Sequence, residues 1–428
     1  MIPSLSENTQ AILLLYAPLL VGAKESAHKL LSLAEYNKLA KALRAQNAQP
    51  MDLLGGDADV LIQKLHDDFD KARLKGLLGR GFQLSQAVDA WRAKSIWVIS
   101  RADPIYPRRL KQVLKEESPA VLYGCGDPTL LDTGGLSVVG SRNVDEAQLA
   151  FTGTVGKLTA EGGLSIVSGG ARGIDSAAMN GALSADGTVI GVLGDSLAKA
   201  ALAGVNRLPI KQNRLVLISP YDPSAGFNVG HAMSRNKLIY ALSDAALVVT
   251  ADFKKGGTWE GAVEQLDKYH FVPVFVCDGV VTGKGNQALI AKGGIRWPEP
   301  KDGKSVAETI TRAPLQTELK QDSLNLTTGG VDSPASQAVE TNKSAAPAPD
   351  NAITSNEVSV SDRFAAFVET LIWEVAKTAK TESEIADALG IPKSFAKDLI
   401  ERMLKSGAVE KLSKPVRYKT VSKGERLI

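Results

Sequence analysis

Between Leu136 and about Ile295 the chain repeats one unit: a short run rich in Val, Ile and Leu, a polar or glycine-rich turn, then an amphipathic stretch. The runs are Leu136–Val139, Leu164–Val167, Thr188–Leu193, Leu215–Ile218, Ala246–Val249 and Val272–Val276. Strand-length apolar runs alternating with helix-length segments predict a doubly wound, mostly parallel sheet, a Rossmann-like α/β fold. Pro273 cannot donate to a sheet ladder, so it belongs at a strand start or sheet edge. In a parallel sheet the turns that follow the strands collect at one edge, which is where such folds bind ligands.

The flanks read differently. A chain of 428 residues exceeds one ordinary core and implies two or three domains. Leucines at helical spacing (Leu30, Leu31, Leu33, Leu39, Leu43, Leu74, Leu77, Leu78) predict a small helical, SAM-like domain over residues 1–95. The apolar stretch Ala11–Ala23 is broken by Pro18 and follows Glu7 rather than a basic leader, so it reads as a buried helix and neither a membrane span nor a signal. The Rossmann-like domain occupies 96–312. From Trp297 to Phe364 no aromatic residue occurs between the two, and residues 313–358 are dominated by Ser, Thr, Asn, Ala, Gly and Pro. Such a stretch buries too little apolar area to offset its ordering entropy and is expected to be a disordered linker. Helical patterning returns with Phe364, Phe367, Leu371, Ile385, Leu389, Phe395, Leu399 and Met403, and ends in a Gly407-Ala408-Val409 turn and a basic run, the pattern of a winged helix over 359–428.

Charge and cysteine content narrow the function classes. The 50 basic and 47 acidic residues give a net charge of +3, so a nucleic-acid site must arise from local clustering. Cys125 and Cys277 stand far apart, and His28, His66, His231 and His270 form no close pair, which supports neither a disulfide framework nor a metal site. A cytoplasmic protein without cofactor is expected.

Four segments of the central domain carry the chemistry. Gly140-Ser141-Arg142 follows the first run. Ser168-Gly169-Gly170-Ala171-Arg172-Gly173-Ile174-Asp175 links the second run to a helix reaching about Leu183. Ser234-Arg235-Asn236-Lys237 is expected to open the helix before the fifth run, and Lys254-Lys255-Gly256-Gly257-Thr258 leads from that run into another helix. Glycines let backbone N–H groups approach a phosphate, a helix N-terminus favours an anion, and a guanidinium fork grips phosphate oxygens. Any one turn reads equally well as a tight strand-to-helix connection, and Lys254-Lys255 alone as a solvated pair. Four at equivalent places point to a polyanion site. A P-loop is excluded, because no G-x-x-x-x-G-K followed by Ser or Thr is present, and the glycine spacing is not the dinucleotide fingerprint.

In order and spacing, Tyr106-Pro107-Arg108-Arg109-Leu110, Ser118-Pro119-Ala120-Val121-Leu122-Tyr123, Gly140-Ser141-Arg142, Ser168–Asp175, Ser234–Ile239 and Lys255–Ala262 resemble the DprA/Smf family over about residues 96–280. The resemblance implies an extended Rossmann domain that binds single-stranded DNA at its basic loop edge, dimerises, and in transformable bacteria hands the strand to the RecA recombinase. It carries over to Arg142, Gly169, Gly170, Arg172, Gly173, Asp175, Arg235, Asn236, Lys237, Lys255, Gly256 and Thr258, with Asp175 expected to brace its turn. Ser141, Ser168, Lys254 and Gly257 complete the expected contact set. The chain departs from the family at Ser219-Pro220-Tyr221-Asp222-Pro223 and at Ala232-Met233, marking a divergent branch.

Two other readings stay open. Some relatives act as the DNA-binding antitoxin of a phage-defence pair, which makes the partner a cognate toxin. Gly256-Gly257-Thr258-Trp259-Glu260 is similar to the phosphoribohydrolase signature P-G-G-x-G-T-x-x-E, which would make Glu260 a general acid or base in N-glycosidic cleavage, but its glutamate falls one residue early. No enzyme activity is expected. In residues 391–428 ten Lys and Arg face four Asp and Glu. Lys393, Lys397 and Arg402 fall on the expected recognition helix and Lys411, Lys414, Arg417 and Lys419 on the wing, for contact with duplex DNA or a protein.

Overall fold

A computed structural model describes residues 3–19, 28–279 and 284–313, and, further on, 381, 383–385, 400, 403–404, 409–412 and 417–420. The chain divides into two units, 1–330 and 331–428.

The first unit is built on a nine-stranded sheet: β1 (Trp97–Ser100), β2 (Val121–Cys125), β3 (Leu136–Val139), β4 (Ile166–Ser168), β5 (Val189–Val192), β6 (Leu215–Ser219), β7 (Ala245–Val248), β8 (Val274–Val276) and β9 (Ile295–Arg296). Their spatial order is β1-β2-β6-β5-β4-β3-β7-β8-β9. Strands β3 to β9 are mutually parallel, as the alternating runs require. Strands β3 to β8 are buried along their whole length, which is why they read as unbroken Val, Ile and Leu runs instead of alternating with polar residues. Pro273 immediately precedes β8.

Strands β1 and β2 were not legible as part of this sheet. They pair antiparallel with each other, and β2 pairs antiparallel with β6, so β1 points the same way as the parallel strands. From β3 the chain winds outward through β4, β5 and β6, then returns to place β7, β8 and β9 on the other side. That reversal opens a crevice between the C-terminal ends of β3 and β7.

The first 95 residues are helical where described, with helices Glu7–Tyr16, Leu33–Ala45, Ala58–Gln63, Lys71–Leu78 and Gly81–Arg92. The first stops at Tyr16 because Pro18 bars the preceding residue from helical geometry, and Ala17 is extended. Residues 20–27 of the apolar stretch lie outside the described residues. Leu13, Leu39, Leu77 and Trp91 share one apolar core with Val98, Val121 and Tyr123 of β1 and β2. Thr9 Oγ1 donates to Asp103 Oδ2 at 2.6 Å, pinning the first helix to the turn after β1.

The motif residues nearest β1 serve this scaffold. Tyr106 Oη donates to the Pro119 carbonyl at 2.9 Å and Ser118 Oγ to that of Leu110 at 2.8 Å. Arg109 meets Asp244 at 2.6 Å, while the other Asp244 oxygen accepts the Gly135 N–H at 2.7 Å. This bridge ties the starts of β3 and β7 together at the end of the sheet opposite the crevice.

In the second unit β10 (Val409–Leu412) and β11 (Arg417–Thr420) form an antiparallel hairpin with Lys411 opposite Tyr418 and Leu412 opposite Arg417. Lys411 is exposed on it. Lys393, Lys397, Arg402, Lys414 and most of the expected linker and winged helix lie outside the described residues. Among the described residues no helix is long and apolar enough to cross a membrane.

Candidate nucleic-acid interface

The four expected segments do meet at one edge of the sheet. Gly140–Arg142 leaves β3, and the Ser141 N–H donates to the Thr250 carbonyl at 3.1 Å, which joins the loops on either side of the crevice. Thr258 Oγ1 donates to the Gly140 carbonyl at 3.0 Å and Asn236 Nδ2 to that of Gly257 at 3.1 Å. The fourth segment is therefore stitched to the first, and the third to the fourth, by side chains whose types the sequence pattern singled out.

The loop after β4 is shaped by two glycines in left-handed backbone, Gly170 at φ 67° and Gly173 at φ 92°. A side chain on Gly173 would also press to 2.7 Å from the Ser141 carbonyl. Asp175, in the first turn of helix Ile174–Ser184, is buried and accepts the N–H groups of Gly169 at 3.2 Å and Ala171 at 3.4 Å. Burial pushes its carboxyl above the usual range, while the nearby Arg235 charge and these two donors pull it back.

Arg235 lies beneath this loop and is only 7% exposed. Its Nη2 donates to the Gly169 carbonyl at 3.2 Å, and its Nε is buried with no partner among the described residues. Burial lowers its pKa and Asp175 opposes that. Arg235 sits in the middle of helix Val229–Ala241, which Asn228 caps by accepting the His231 N–H at 3.0 Å. The helix thus starts earlier than the expected opening at Ser234, because the Asn cap outweighs the motif as a start signal.

The remaining expected residues divide by exposure. Arg142, Arg172, Lys254, Lys255 and Gly256 are exposed at the edge. Arg172 Nη2 donates to Asn143 Oδ1 at 3.1 Å. Ser168 is buried and donates to the Val138 carbonyl at 2.7 Å, joining β4 to β3. Lys237 meets Glu117 at 3.1 Å and lies over the Tyr269 ring, 4.8 Å from its centroid.

Two hollows flank this ridge. The crevice between β3 and β7 has a volume of about 610 Å³, and its charged lining is balanced: Arg142, Arg235 and Lys255 against Asp175, Asp252 and Glu260. The neighbouring hollow, of about 640 Å³ at the ends of β4 and β5, is lined by Arg142, Arg172, Lys199 and Arg235, with Asp195 as the one acid among the described residues. Phe227 lines both, is 60% exposed, and carries the Arg142 guanidinium 5.4 Å above its ring. Sequence reasoning passed over Phe227, although an aromatic residue in a Gly-rich, polar stretch just before a helix cap was the available signal. It also passed over Lys199.

Residues 97–305 match the family described as DNA recombination-mediator protein A. The chain is 28% identical over 237 residues to the DNA processing protein DprA of Bacillus subtilis strain 168, spanning 52% of this chain and 76% of that protein. It is 31% identical over 208 residues to DprA of Streptococcus pneumoniae, spanning 48% of this chain and 72% of that one. Among solved structures, DprA from S. pneumoniae superposes with a TM-score of 0.47 at 24% identity, covering 66% of this chain and 99% of the other.

Proposed function

Because this chain belongs to the DprA/Smf family of DNA recombination-mediator proteins, we propose that it is a DNA-processing protein that binds single-stranded DNA along the loop edge of its central sheet. The observation that carries the strandedness is Phe227. A ring 60% exposed between two basic loops, with a guanidinium over one face, offers a stacking surface that only an unstacked base can use. Arg142, Arg172 and Lys255 take the phosphates, with Lys199 adding a charge in the hollow beyond. Arg235 and Asp175 act from beneath, holding the Gly169–Gly173 loop so that its backbone faces the strand.

Binding without turnover fits the carboxylates best. Asp175 is engaged by two backbone donors. The thiols of Cys125 and Cys277 are buried and pushed up to about 12, far from a reactive thiolate. A bound strand can serve recombination, by handover to RecA from a homodimer, or defence, as one half of a toxin pair. Co-purification of RecA with the tagged protein assigns the first role, and of a toxin encoded beside it the second.

The test is equilibrium binding of a labelled oligothymidylate and of its duplex. Single-strand affinity at least about fivefold above duplex affinity is expected, since stacking on one ring contributes about 1–3 kcal/mol. Equal affinities would remove the single-strand assignment. Release of free base from nucleoside monophosphates, abolished by Glu260→Ala, would replace binding with hydrolysis.

A further inference from the structure

A second basic groove lies on this unit, away from the four loop segments. It has a volume of about 750 Å³ and runs between helix Leu33–Ala45 and the turn and helix that follow β1. Lys41, Arg44, Arg101, Lys111 and Lys115 line it, with Glu116 as the one acid among the described residues. Glu116 is already taken up by Lys41.

The two innermost cations are held in place without a carboxylate in contact. The Arg101 guanidinium lies 5.4 Å from the Tyr36 ring centroid, donates to Asn37 Oδ1, and reaches the Glu116 carbonyl at 3.5 Å. Lys111 Nζ donates to the Asp103 carbonyl at 3.4 Å and lies over Tyr106 at 5.4 Å. The Asp103 carboxylate is occupied by Ser6, Thr9 and Ser100. Burial holds the Lys111 pKa below its ordinary value; Asp103 opposes this and Arg101 adds to it. Fixing like charges side by side on stacked, preorganised stems is unfavourable unless an anion joins them.

Strand register puts this groove on the same edge as the loop segments. Val98 of β1 and Ser219 of β6 both stand opposite Tyr123 of β2, so Ser100 is level with residues just beyond Ser219. Arg101 therefore emerges where the loops after β4, β5 and β6 emerge. Five strand steps separate β1 from β3, about 24 Å at roughly 4.8 Å per step. The cations are spread over a helix, a turn and a second helix, and no glycine among the described residues lines the groove. The arrangement fits a run of phosphates rather than a mononucleotide.

We propose that the groove lined by Arg44, Arg101, Lys111 and Lys115 is a second contact for the phosphodiester backbone of the same single strand, extending its path along the sheet edge onto the N-terminal helices. The inference rests on the single-strand reading above.

The full chain and the variant Arg44→Glu/Lys115→Glu are compared on oligothymidylates of about three and about twenty-five nucleotides, the shorter spanning less than the about 24 Å between the two places. Both substituted side chains are exposed, and the melting curve of the variant should match wild type. Affinity for the longer strand should fall about tenfold near 0.1 M salt, with a shallower salt slope, while the shorter strand binds as before. Unchanged affinity for the longer strand, or an equal loss on the shorter one, overturns the second contact. Arg172→Ala/Lys255→Ala should weaken both strands. If it weakens neither while Arg44→Glu/Lys115→Glu still weakens the longer one, the loop-edge site fails and the groove stands.

Discussion

The Arg235 guanidinium rests directly on the α-carbon of Gly169: Nη2 bonds to the Gly169 carbonyl at 3.2 Å, and any Cβ at Gly169 would occupy the space of the guanidinium. Gly169 is thus required for close approach and not for unusual backbone, since its φ is outside the positive range that Gly170 and Gly173 adopt. Gly169→Ala should displace the end of Arg235, strand a buried charge near Asp175, and cost about 1–3 kcal/mol. Gly256→Ala is the control, because Gly256 has open space around it and bears only the strain of φ 82°. Urea unfolding of the two variants checks the order: Gly169→Ala should be the less stable, and the reverse order would show that Arg235 does not depend on this contact.

Phe227→Ala should weaken single-strand binding by about 1–3 kcal/mol through the loss of one stacked base. Because stacking displaces no counterion, the salt slope should stay at its wild-type value, and Phe227→Trp should keep affinity. A flattened slope in Phe227→Ala would mean that the ring serves only to hold Arg142.

Glu35 provides a test of how the N-terminal helices are held. Hydrogen bonding to Arg73 and to Ser32 lowers its pKa from 4.5 to about 2. A carboxylate depressed in the folded state stabilises it above the unfolded pKa, and that contribution is lost as pH falls through the window from 4.5 to about 2. Glu35→Gln should therefore be less stable than wild type at neutral pH, with the gap closing as pH falls through that window. The Glu35 side chain is 41% exposed, so the effect is small after solvent screening. A gap constant across the urea midpoints at neutral and acid pH would show that the ion pair contributes nothing.

The strands and the loop edge were legible because each fully buried strand is a short apolar run closed by a glycine or polar turn, a pattern carried by adjacent residues. Strands β1 and β2 escaped because β2 joins the sheet by pairing with β6, which is distant in sequence, and leaves no local mark. The same reason explains the inner placement of several motif residues. Nothing near Lys237 in sequence announces Glu117, 120 positions away, and nothing near Ser168 announces the Val138 carbonyl that it meets. Arg235 reads as one more phosphate cation until the fold puts it under Gly169. The second basic groove was illegible because its cations come from a helix near residue 40 and from residues 101–115, two stretches that only the fold brings together.

The proposed binding rests on exposed cations at the loop edge neutralising phosphates of a single strand. Measuring the affinity of the full chain and of Arg172→Ala/Lys255→Ala for one oligothymidylate across a salt series tests it most directly. Weaker binding of every sequence alike is expected, with a log–log slope flattened by about 1.4 for the two contacts, at roughly 0.7 each. A folded double variant with wild-type affinity and an unchanged slope would contradict it.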